Sequence, residues 1–158
     1  MMSARVSEIL DDLIEVCREG ESCYKACAQL VRDDTKRRSL KHRAQRATRA
    51  RRQLRKLRDA IGDAQCSGPA LGQPVHSAVH CTGFGAVSDE ASALGMCERL
   101  EAVAMMRYRD ALDFELPEPV RKLLQRQFDE LVERYASAEH AAPHDTNVER
   151  PVRLALAQ

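Results

Sequence analysis

Apolar and small residues recur at Leu10, Leu13, Cys17, Gly20, Tyr24, Cys27 and Val31 in alternating steps of three and four. That spacing lays one stripe along a helix, with Ser3 or Ser7 placed to cap its start. The polar run Asp33-Asp34-Thr35 interrupts the pattern, and a second stripe follows at Leu40, Ala44, Ala47, Ala50, Leu54, Leu57 and Ile61. Gly62 stands where a left-handed residue would close that helix. Gly, Pro and Ser across 62–73 predict a long crossover, then a short helical piece over 74–82 that Gly83-Phe84-Gly85 breaks. Ser88 is placed to cap a third long helix with a stripe at Leu94, Cys97, Glu101, Ala104 or Met105, Tyr108 and Leu112. Leu116-Pro117-Glu118-Pro119 ends it and starts a fourth, proline being tolerated in a first turn. Val120, Leu124, Phe128, Leu131, Tyr135 and Ala138 mark its stripe, which should stop before Pro143.

Two helical hairpins joined by a long crossover predict an all-α, antiparallel four-helix bundle with a ferritin-like layout. The bundle is expected to occupy residues 1–140, with 141–158 as a C-terminal tail. Aromatic residues make up 4% of the chain and Trp is absent, so the core is expected to be built from small aliphatic groups, which suits close helix packing. A short internal echo supports the pairing of the hairpins: Cys17-Arg18-Glu19-Gly20-Glu21 on the first helix resembles Cys97-Glu98-Arg99-Leu100-Glu101 on the third, each followed by a tyrosine, Tyr24 or Tyr108.

With Leu13-Ile14-Glu15-Val16 ahead of that motif, Arg43-Ala44-Gln45 on the second helix and Leu116-Pro117-Glu118-Pro119-Val120-Arg121 before the fourth, the chain resembles a ferritin-like bacterial four-helix-bundle domain family of unknown function. The resemblance covers roughly residues 8–138. It implies the bundle fold and a stress-associated role.

The formal net charge is +1, so no global charge selects nucleic acid, membrane or acidic partners. No stretch approaches a membrane span and the first residues lack an apolar signal core, so a cytoplasmic protein with no membrane partner is expected. The six cysteines, Cys17, Cys23, Cys27, Cys66, Cys81 and Cys97, are expected as reduced thiols serving mainly as small core hydrophobes. A homodimer is the expected assembly.

The candidate chemistry starts from two carboxylates that fall on or beside apolar stripes. Glu21 and Glu101 must be compensated by a metal, an arginine, a tyrosine hydroxyl or water if they are buried. A ferritin-like di-iron centre needs two glutamates and two Glu-x-x-His pairs. Here the second helix offers His42 and Gln45 where the resemblance implies a carboxylate, and Tyr135 stands where it implies His. A complete di-iron site is therefore not expected. Glu21, His42, Glu101 and Glu130 form the candidate single-metal set, suited to iron, zinc or manganese; the alternative is a polar layer bonded to Tyr24, Tyr108 or an arginine.

Cys23 and Cys27 share a helix face and could present two thiolates to zinc or Cu(I), without an obvious second pair. His76, His80 and Cys81 make another loose cluster. Between Lys36 and Arg58 the second helix carries twelve Lys or Arg and no acid. Arg46 and Arg49 on it are the candidate anion-binding residues, for nucleic acid or an acidic surface, with pairing inside the bundle as the alternative. No phosphate loop, catalytic triad order or activated-cysteine signature is present, so catalysis is not indicated; a metal-dependent oxidoreductase stands as the third reading.

Overall fold

The computed structural model describes residues 2–63 and 89–141, with side chains at 4–62 and 89–136. It contains four helices and, among the described residues, no strand: α1 (Met2–Leu30), α2 (Asp34–Asp63), α3 (Glu90–Leu112) and α4 (Glu118–Ala141). The expected crossover, its helical piece over 74–82, and the tail beyond 141 lie outside the described residues, as do Cys66, His76, His80 and Cys81.

Local chemistry sets the described ends. Asp33 caps α2, its Oδ1 accepting the Lys36 amide at 2.8 Å. The Arg37 guanidinium reaches back to the carbonyl oxygens of Val31 and Arg32, so the α1–α2 turn closes without orphaned acceptors at these positions. The cap of α3 is Asp89, which accepts from the Ser92 amide at 2.9 Å. The sequence pattern places the cap at Ser88, one residue earlier; the Asp89 carboxylate presents two acceptors, taking both the amide and the hydroxyl of Ser92. Arg121 donates to the carbonyls of Leu112 and Phe114 and so ties the start of α4 to the end of α3. Three helix ends differ from expectation. α1 begins at Met2, placing Ser3 and Ser7 inside it, and α2 continues through Gly62 to Asp63.

The pairing is antiparallel around α1. Against α2, Asp11 meets Arg58 and Glu21 meets Arg51. Against α3, Cys17 meets Tyr108, Tyr24 meets Glu101 and Cys27 meets Ala93. α3 and α4 are antiparallel too, through Leu112 with Arg121 and Tyr108 with Gln127.

The core is divided. One apolar cluster takes Val6, Leu10, Leu13, Ile14 and Cys17 from α1, Leu54 from α2, Tyr108 and Ala111 from α3, and Val120 and Leu124 from α4. The other takes Cys23, Tyr24, Cys27, Ala28, Val31, Leu40, Ala44, Ala93 and Cys97, all from α1, α2, α3 and the first turn. Tyr135, expected on the apolar stripe of α4, is exposed. Among the described residues, the second cluster draws no buried residue from α4.

Candidate functional site

Between and within the two clusters the bundle holds three groups of chemically active side chains. The first is a trio of thiols. Cys23 and Cys27, four residues apart on α1, sit on one face, and α3 brings Cys97 against them. The Sγ atoms lie 3.9 Å apart for Cys23–Cys27, 3.6 Å for Cys23–Cys97 and 3.2 Å for Cys27–Cys97. All three residues are buried, and the thiols are free. The Ala93 carbonyl lies 3.2 Å from Cys27 Sγ. The bond Cys23 donates to Cys97, then burial, pushes the Cys23 thiol well above the ordinary thiol range. Burial, then the bond Cys27 donates to Cys97, pushes Cys27 up to about 12. Cys97 shifts downward, because Cys23 and Cys27 offer hydrogen bonds to its thiolate, against the opposing effect of burial.

The second group is the pair of buried carboxylates. Glu101 Oε1 accepts the Tyr24 hydroxyl at 2.9 Å and an Arg43 guanidinium N–H at 2.6 Å. Glu21 takes Lys25 at 2.5 Å and Arg51 at 2.9 Å. Burial opposes ionisation of Glu21, but the bonds from Lys25 and Thr48 and the charges of Arg51 and Lys25 together hold its carboxyl below the ordinary range. The two glutamates are therefore each compensated by an arginine of α2. His42 and Glu130 are exposed. Glu21, His42, Glu101 and Glu130 are not gathered into one cluster. Among the described residues, the ligand atoms of three or more His, Cys, Asp or Glu that lie within 4.8 Å of one another are those of Cys23, Cys27 and Cys97.

The third group is a hydrogen-bonded chain through all four helices. Tyr108 of α3 donates to Gln127 Oε1 of α4 at 2.8 Å, and its oxygen lies 3.4 Å from Cys17 Sγ of α1. The Gln127 amide donates to Gln53 Oε1 at 3.0 Å and to the Ala50 carbonyl at 3.4 Å, both on α2. Burial raises the Cys17 thiol to about 11 against the smaller opposing effect of the Tyr108 bond, and burial also raises Tyr108 itself.

The charge run on α2 divides by face. Arg43, Arg51 and Arg58 turn toward Glu101, Glu21 and Asp11. Arg46 and Arg49 are exposed, and neither has a carboxylate within 4.0 Å among the described residues. No described helix is long and apolar enough to cross a membrane.

Sequence reasoning found Cys23 and Cys27 as a pair but not the third member. The available signal was the antiparallel register of α1 and α3: once Tyr24 is opposite Glu101, Cys97 must lie one turn away, opposite Cys27.

In comparison with known proteins, the family model described as a domain of unknown function (DUF2383) matches residues 5–114. That stretch takes in α1 from residue 5 onward, α2 and α3, and with them the thiol trio and both buried glutamates. No curated protein matches the chain.

Proposed function

We propose that this chain, which belongs to the DUF2383 family of unknown function, is a non-catalytic metal-binding bundle of ferritin-like layout whose thiol trio takes one Cu(I) ion. The observation that carries the reading is the convergence of three buried Sγ atoms, two from α1 and one from α3, with all separations between 3.2 and 3.9 Å. A point in the plane of the three sulfurs and equidistant from them lies about 2.1 Å from each, close to the ~2.3 Å of a zinc–thiolate bond. Small side-chain shifts would admit an ion. Thiolates favour soft cations, and Cu(I) needs fewer ligands than the four of a structural zinc site. No fourth His, Cys or carboxylate joins the trio among the described residues. Iron or manganese would prefer oxygen and imidazole donors, and the buried carboxylates are already engaged by arginines. The ferritin-like layout is supported by the antiparallel pairing of α1 with α3 and by the long stretch between α2 and α3.

Uptake must displace protons from at least two of the thiols. The raised thiols of Cys23 and Cys27 oppose that step, so affinity should increase with pH. The test is anaerobic titration of the reduced protein with Cu(I) against a chromophoric Cu(I) chelator. One ion per chain is expected, with binding lost in Cys27→Ser and Cys97→Ser and retained in Cys17→Ser, whose thiol lies in the other cluster. Failure to compete with the chelator, or equal loss in Cys17→Ser, would overturn the reading. Tetrahedral Co(II) spectra with zinc-competitive binding would replace copper by zinc.

A further inference from the structure

The belt between the two apolar clusters contains a cavity of about 60 Å³, lined by residues of all four helices. That is room for roughly four water-sized spheres, about the length of a short carbon chain. Its walls are mostly apolar, including Val16, Leu100, Ala104 and Leu131, and Gly20 contributes space by having no side chain. Two arginines line it as well, Arg46 from α2 and Arg134 from α4.

The charge balance of the belt is uneven. Arg43 is matched by Glu101 and Arg51 by Glu21. Arg46 and Arg134 have no carboxylate within 4.0 Å among the described residues; Arg134 uses its Nε on the Glu130 carbonyl. Burial lowers the Arg134 guanidinium from its ordinary value; Tyr24 and Glu101 support its charge, and Arg46 and Arg43 oppose it. Glu130, the acid on the cavity wall, is exposed and lies beyond 4.0 Å from both guanidiniums. The Tyr24 and Tyr108 hydroxyls are committed to Glu101 and Gln127. A partly desolvated cation without a close counter-charge is costly, and an anion brought to it removes that cost.

We infer that the cavity is a binding site for a short aliphatic monocarboxylate, its carboxylate held between Arg46 and Arg134 and its chain in the apolar interior. Guanidinium forks match a planar carboxylate through paired hydrogen bonds. The small apolar interior selects a chain of a few carbons over a bulky or doubly charged anion. This inference is independent of the thiol site and would stand if no metal bound there.

The experiment is isothermal calorimetry and thermal melting of the full chain with butyrate, acetate, butanol, inorganic phosphate and chloride, at matched ionic strength. Butyrate should bind saturably, acetate more weakly, and butanol, phosphate and chloride without saturation. Arg134→Gln should weaken butyrate by roughly tenfold or more, the scale of losing a charge-assisted bond in a partly dry site. Gly20→Ala provides a second variant that should fold, because the added Cβ would meet Tyr24 Cε2 at 3.6 Å, an ordinary contact. It narrows the cavity and should weaken butyrate more than acetate. The inference is overturned if butyrate acts no better than chloride, if phosphate binds as well as butyrate, or if folded Arg134→Gln binds butyrate unchanged.

Discussion

Replacing Tyr108 by phenylalanine deletes one oxygen from the hydrogen-bonded chain that touches all four helices. The ring still fills its place, so the perturbation is confined to the hydroxyl. Tyr108 is 1% exposed and Gln127 5%, so water is poorly placed to replace the lost donor. The parent bond, 2.8 Å from Tyr108 to Gln127 Oε1, contributes about 0.5–1.5 kcal/mol, and the orphaned acceptor costs about 1–3 kcal/mol in its place. A destabilisation of about 1–3 kcal/mol is expected. Gln127→Leu removes the orphan but deprives Gln53 and Ala50 of their donor; Gln53 is half-buried, where water can substitute. The double variant Tyr108→Phe with Gln127→Leu should therefore cost less than the two single changes added together, by about 1–2 kcal/mol. Urea unfolding of the four proteins, followed by far-ultraviolet circular dichroism, measures this, provided the denaturant slopes agree. Strict additivity, or a Tyr108→Phe cost below about 0.5 kcal/mol, would show that the chain does not couple α3 to α4.

Gly20→Ala should raise stability by up to about 1 kcal/mol, because alanine restricts the unfolded chain and suits a helix interior; a melting curve that moves down would refute it. The folded Glu21 carboxyl lies below its ordinary value, so its contribution is present above the unfolded pKa of about 4.3 and is lost as pH falls below it. Glu21→Gln should flatten this acid limb in urea midpoints measured across pH, and an unchanged limb would remove the assignment. At the other end, the Cys17 thiol is raised to about 11 and the Tyr24 and Tyr108 hydroxyls are raised as well. Their neutral forms favour the fold at pH values below those of the unfolded groups, so stability should decline as pH climbs above about 9. Cys17→Ser should make that decline shallower in urea midpoints across pH without moving its onset, because the Cys23 and Cys27 thiols are raised too; an unchanged slope would remove the Cys17 assignment.

The helices were legible because their burial follows the three-four spacing: Leu10, Leu13, Cys17, Tyr24 and Cys27 are all buried. Ends were less legible, since Ser88 and Asp89 are both able caps and the choice depends on where the preceding chain runs. Glu21 and Glu101 stood out as acids on apolar stripes, and their partners Arg43 and Arg51 are eight positions apart on a helix rich in arginine, where sequence alone does not single them out. The thiol trio was half legible. Its two α1 members are a local pattern, but its third depends on register between helices more than sixty residues apart, and the echo between Cys17 and Cys97 drew those two together. In the fold Cys17 meets Tyr108 instead.

The division of the core has a kinetic consequence. α4 is pinned near its start by Val120, Leu124 and Gln127, whereas Val132 and Tyr135 are exposed and, among the described residues, the cluster that holds the thiols takes no buried residue from this helix. The C-terminal half of α4 is therefore expected to open at a lower free energy than global unfolding. Arg134 and Leu131 would travel with it, uncovering the cavity while the α1–α2–α3 packing stays intact. Exchange of small molecules with the bundle interior would be paced by this local opening, and amide hydrogens at 131–136 would exchange with solvent faster than those at 120–127.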